Sequence, residues 1–109
     1  MASAKIVVLY PTPRDAAAFE RAYREEHTPM VTQKSFPGMT KFVAVKVVGT
    51  PGGGAPPYAR IAELHFPSLQ ALQAAAGSEG AKRAVNHAVS ISTGGAPVFL
   101  VAEEETTTF

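Results

Sequence analysis

The 109-residue chain contains no cysteine, which removes disulfides, iron–sulfur clusters, thiolate zinc sites and a cysteine nucleophile together. Long hydrophobic runs are missing too. The longest near the start, Ile6 to Tyr10, is far too short for a membrane span or the core of a secretion signal. Charge of one sign is also lacking: 10 Lys and Arg stand against 9 Asp and Glu, a formal net charge of +1. The two signs are mixed along the chain, so no basic stripe marks a nucleic-acid footprint. Neither nucleic acid nor membrane is expected as a partner, and the cytoplasm is the expected location.

What is present reads as globular. Apolar residues make up 46% and charged residues 17%, a balance that favours a packed core over disorder. At this length there is room for one domain and one core. Lys5 to Tyr10 is β-branched and stopped by Pro11, as a strand would be. Thr12 is placed to cap a helix, with Pro13 at its first position and Asp15 three residues on. Phe19, Tyr23, His27 and Val31 then recur at i+4, predicting one apolar face of a helix of about four or five turns. Phe36-Pro37-Gly38 ends it. A second strand spans Thr40 to Val48. The turn-forming stretch Gly49 to Pro57 makes a long hairpin loop, and a third strand spans Tyr58 to Phe66. Ser68 opens a helix at Leu69 that Gly77 closes, and Ser78 caps a further piece from Glu79 to about His87. A last strand covers Val98 to Ala102, with an acidic and threonine-rich tail from about Glu103. The order β-α-β-β-α-β predicts an α+β, ferredoxin-like domain with a four-stranded antiparallel sheet.

The strands do not alternate as a sheet covered on one side should. Val7 and Leu9 back onto Ile6, Val8 and Tyr10. Val43, Val45 and Val47 back onto Phe42 and Ala44, and Val98 and Leu100 onto Phe99 and Val101. Helices cover one face, leaving large aliphatic side chains on the other, each worth roughly 1.5–3 kcal/mol on full burial. Such a patch marks an interface, and sheet-to-sheet pairing in a symmetric homodimer would bury it.

Three histidines, His27, His65 and His87, are the main candidates for chemistry. None pair at metal-ligand spacing, so no metal site is expected. His27 falls on the apolar row, and Pro29 two residues later cannot donate to the Glu25 carbonyl, so a kink is expected there. A histidine beside such a crevice can shuttle protons, or it can be a core residue bonded to a freed carbonyl. Tyr10, Tyr23 and Tyr58 can each be core fillers with a hydroxyl at the surface, or together wall a pocket for a small apolar or aromatic ligand. Gly52-Gly53-Gly54 leads into Ala-Pro-Pro and not into a helix, so it is no phosphate cradle. No serine has a nucleophile-elbow context.

Several strings together resemble the EthD family of dimeric α/β barrel proteins. They are Leu9-Tyr10-Pro11, then Phe19, Tyr23 and His27-Thr28-Pro29-Met30, then Pro57-Tyr58, Phe66-Pro67-Ser68 and Gly77-Ser78-Glu79-Gly80. The resemblance covers Ile6 to about Val101. It implies a ferredoxin-like monomer, two of which pack sheet to sheet, with a pocket between sheet and helices. The family is linked by name to bacterial breakdown of ethyl tert-butyl ether, and related barrels include isomerases, cyclases, decarboxylases and monooxygenases. Fold alone does not choose among these. Members often carry an aspartate where this chain has Asn86 followed by His87; Asn86 can accept a hydrogen bond but cannot stabilise an imidazolium as a carboxylate does.

The expectation is a pocket protein acting on a hydrophobic or aromatic metabolite in catabolism without a bound cofactor. His27 would be catalytic, and Tyr10, Tyr23, Tyr58 and Asn86 would bind substrate. Isomerisation, cyclisation, decarboxylation or cofactor-free oxidation would all suit. The alternatives are a binding or stress-response module without chemistry, and an accessory subunit of a degradation pathway.

Overall fold

The computed structural model describes residues 3–109. Strand β1 is Ser3–Pro11, β2 is Lys41–Lys46, β3 is Tyr58–Phe66 and β4 is Val98–Glu104. Helix α1 is Ala16–Arg21, and it continues as a π-helical stretch, Ala22–His27, and a 3-10 turn, Thr28–Met30. Helices α2, Leu69–Ala76, and α3, Glu79–Ile91, fill the second crossover. All strand pairs are antiparallel, in the order β2-β3-β1-β4. This is the ferredoxin-like arrangement that the strand and helix order predicts.

Residues directly opposite in an antiparallel pair share a face, so the register assigns every side chain. Val7 stands opposite Glu63 on β3 and Leu100 on β4, and Val43 of β2 also stands opposite Glu63. On the other face, Val8 stands opposite Ala62 and Phe99. That second face is the core side: Ala4, Val8, Tyr10, Ala62, Leu64 and Phe66 are buried, together with Phe19, Tyr23, Leu72, Ala84 and Ala88 from the helices. The outer face keeps Val7, Leu9, Val43, Val45 and Ile61 only half-buried, and leaves Leu100 47% exposed. The molecule is 19 Å across its thinnest dimension, one layer of sheet and one of helix. The two apolar faces read from the sequence therefore exist, and the helices cover one of them.

Three local expectations need correction. Thr12 does not cap the first helix; Asp15 does, accepting from the Ala18 amide at 3.1 Å. Thr12 is held elsewhere, since its amide and hydroxyl both donate to the end of the hairpin loop, at Pro57 O and Pro56 O. The first helix departs from α geometry at Ala22, well before Pro29. Finally, Glu103 and Glu104 are strand and not tail: they pair with Ala4 and Ser3, and the Lys5 Nζ lies 3.2 Å from Glu104.

Candidate functional site

The π-helical stretch shapes the site. An α-helix advances about 100° per residue, so a row at i+4 drifts by about 40° each step. Phe19, Tyr23 and His27 would walk off the core face if the helix stayed α. Widening to i→i+5 bonding over Ala22–His27 turns the helix less per residue. All three side chains stay buried in line. Pro29 helps to explain why the widening survives. In the wide register its missing N–H would serve Arg24 O, and the Thr28 hydroxyl donates there instead, at 2.8 Å, while the Thr28 amide reaches Tyr23 O.

The row meets the end of β1 from above. Tyr10, fully buried, lies edge-on to Tyr23 with ring centroids 5.4 Å apart. Its hydroxyl is 3.2 Å from His27 Nε2. The other nitrogen of His27, Nδ1, is 3.1 Å from Nδ1 of His87, on α3. These two imidazoles lie nearly parallel, 7° apart, with centroids at 5.2 Å. His87 Nε2 in turn points toward the Glu26 carboxylate, 3.6 Å away at the surface. Polar atoms thus run in a file from the core to water.

Burial, and secondarily the charge of His87, pushes His27 down to about 4, so it is neutral at pH 7. Burial pushes the Tyr10 phenol well above its ordinary value, with the neighbouring Tyr23 adding to it. Tyr10 is therefore a neutral O–H group. Burial likewise pushes Tyr23 up to about 12. The Tyr23 hydroxyl is buried and meets no protein donor or acceptor. Its ring is fixed from the other side by Arg60, whose guanidinium sits 4.9 Å from the ring centroid and grips Glu20 through two bonds of 2.8 and 3.0 Å. A bidentate pair of this kind gives fixed orientation as well as attraction.

Tyr10 and His27 are the polar lining of an otherwise apolar cavity between sheet and helices, walled by Val8, Leu64, Ala84 and Phe99 among others. Its internal space is about 40 Å³, room for water and not for a metabolite. Val85 and Phe99, each 39% exposed, form its rim.

The structure thus brings Tyr10, Tyr23 and His27 together. Tyr58 lies half-buried opposite Pro11, outside the cavity lining. Asn86 is exposed on α3, and the next residue, His87, reaches the site in its place. His87, Glu26, Glu20 and Arg60 are neighbours that the i+4 row does not point to. For His87 a signal exists: it stands three residues after Ala84, at the margin of the buried stripe Ala81, Ala84, Ala88 and Ile91 of α3. Among the described residues no three histidines or carboxylates cluster as metal ligands would.

The EthD domain model matches residues 12–89. An uncharacterized 11.0 kDa protein from the thcB-thcC intergenic region of Rhodococcus erythropolis is 34% identical over 101 residues, 92% of this chain and 94% of that protein. The crystal structure of an ethyl tert-butyl ether d (ethd) family protein from Bacillus halodurans superposes with a TM-score of 0.85 at 25% identity, covering 96% of this chain and all (100%) of that one. A dimeric ferredoxin-like protein of unknown function from Jannaschia sp. matches with TM-score 0.72 at 19% identity, over 94% and 99% of the two chains. SnoaB, a cofactor-independent oxygenase from Streptomyces nogalater, shares the fold at TM-score 0.63 and 13% identity, over 96% and 95%. The chain belongs to the EthD domain family.

Proposed function

We propose that the protein binds a small apolar or aromatic molecule between its sheet and helices and carries out acid–base chemistry on it, with His27 as the proton-transferring group and the Tyr10 hydroxyl relaying the proton between ligand and imidazole. One observation carries this reading: a neutral, buried imidazole bonded at 3.2 Å to a phenol that lines the same apolar cavity. The phenol oxygen placed there can accept a proton from a ligand as its own O–H proton passes to the imidazole behind it. Positioned proton transfer contributes about 10²–10⁴-fold to rate, which suits an isomerisation, cyclisation or decarboxylation. Oxidation of an electron-rich aromatic without a bound cofactor is a variant, and it is in keeping with the shared fold of the Streptomyces oxygenase. The setting we propose is breakdown of small organic compounds in the cytoplasm, by a homodimer joined through the outer sheet faces.

A binding protein without chemistry is the second reading. It is favoured by the fact that both nitrogens of His27 already have protein partners. Screening a library of small aromatic and alicyclic metabolites for binding and for turnover separates the two. Under the first reading His27→Gln retains binding and loses turnover by about 10²-fold or more. Turnover unaffected by that substitution contradicts a catalytic His27, and binding without turnover in the wild type supports the second reading.

A further inference from the structure

The pocket reading makes His27 the group that moves a proton, yet His27 is 5% exposed and cannot exchange with water directly. Resting on that reading, we propose that His87 and Glu26 form the outer half of a proton path, Tyr10–His27–His87–Glu26, along which a proton leaves or enters the closed cavity. The distances in order are 3.2, 3.1 and 3.6 Å. Exposure rises along the same file, from Tyr10 with none of its surface open, through the half-buried His87, to Glu26 with 64% of its side chain in water.

The tautomers form a consistent set in either direction. In the resting set Tyr10 donates to His27 Nε2, His27 Nδ1–H donates to His87 Nδ1, and His87 Nε2–H faces the Glu26 carboxylate. A single imidazole has one donor and one acceptor nitrogen when neutral, so this set leaves no nitrogen of the pair unmatched. Suppose a ligand gives up an acidic proton to the Tyr10 oxygen. The Tyr10 proton passes to His27 Nε2, the His27 Nδ1 proton passes to His87 Nδ1, and the His87 Nε2 proton passes by way of Glu26 to water. The ligand's bonding electron pair stays on the ligand as an anion, one proton appears in solution, and both imidazoles end as the opposite tautomer. Nothing is oxidised or reduced. Return of a proton from water along the same atoms resets them. Because the two Nδ1 atoms share one proton, His27 need never carry a full charge at rest, which its burial would oppose.

The path predicts solvent exchange at a buried atom and can be measured with no substrate. The probe is water itself: exchange of the His27 ring N–H in the ¹⁵N-labelled protein, followed by NMR at pH 7. His87→Phe keeps a flat ring against His27 and removes the nitrogens. We expect it to slow His27 exchange by about tenfold or more, with a lowered midpoint of unfolding because the His27 Nδ1–H loses its acceptor. Glu26→Gln, at an exposed position, removes only the outer carboxylate and is expected to slow exchange by a smaller factor. Exchange unchanged in the phenylalanine variant, or faster in it, overturns the path; faster exchange would show that His87 merely plugs the core. If His87→Phe does not fold, His87→Gln and Glu26→Gln decide by the same criterion. None of these outcomes depends on whether a ligand is turned over, so the path can fail while the pocket reading stands, and the reverse.

Discussion

A free histidine has a pKa near 6.5, and His27 is held at about 4 by burial first and by His87 second. Its folded pKa is therefore lower than its unfolded one, and the unfolded chain binds more protons between those values. Stability from this residue is complete above about pH 6.5, falls as pH drops, and is lost below about 4. The difference amounts to roughly 3 kcal/mol. Urea unfolding from pH 7 to pH 4 should show a decline of that order, and His27→Gln should remove most of it. Glu20, held low by its hydrogen bond from Arg60, adds a separate loss only below the ordinary carboxylate value of 4.5. A second prediction concerns Tyr10. Tyr10→Phe keeps the ring packing against Phe19 and Tyr23 but leaves His27 Nε2 without its partner, which costs about 1–2 kcal/mol, read as a shift in the denaturation midpoint.

Among the elements, the first helix shows how far the sequence could be read. The i+4 row of Phe19, Tyr23 and His27 predicted a buried face and placed His27 inward, and both hold. No residue type announces the widening at Ala22, because it is selected by the need to keep three aromatic rings over the end of β1. Thr28 supports it, and Thr28→Val, which keeps the shape and removes the hydroxyl bonded to Arg24 O, should destabilise by about 1 kcal/mol with the loss visible in thermal unfolding. The ends of β3 were legible because Pro57 and Pro67 bracket it. Thr12 and Pro13 form a more familiar cap signal than Asp15, yet Asp15 caps the helix and Thr12 holds the hairpin loop. His87 was a candidate by residue type, but the sequence did not pair it with His27. Periodicity relates neighbours along one helix, whereas this partner comes from 60 residues away. Element packing also makes a clean prediction at Gly94. A Cβ there would stand 1.8 Å from Thr12 O, so Gly94→Ala forces the loop after α3 away from the end of β1. It should cost about 1–3 kcal/mol, measured by chemical denaturation.

For the whole molecule, the two faces of one sheet divide the work. The inner face closes over the cavity and its histidines, and the outer face, with Val7 near its middle between Glu63 and Leu100, stays open in the single chain. The proposed pairing of outer faces would bury it, so light scattering across dilution should give twice the 11.4 kDa chain mass. Val7→Glu should yield monomers at micromolar concentration by placing an unpaired charge in the interface. The site lies on the opposite side of the sheet, so the tyrosine and histidine geometry should survive in that monomer. The proposed chemistry rests on the inner face. Its most direct test is the ¹⁵N spectrum of the imidazole rings in the intact protein from pH 7 to pH 4. His27 is expected to stay neutral and singly protonated at pH 7 and pH 5, gaining its second proton only near pH 4, with a scalar or exchange coupling to the His87 ring. A His27 that titrates near pH 6.5 with no link to His87 would contradict the buried, paired imidazole on which the proposed chemistry depends.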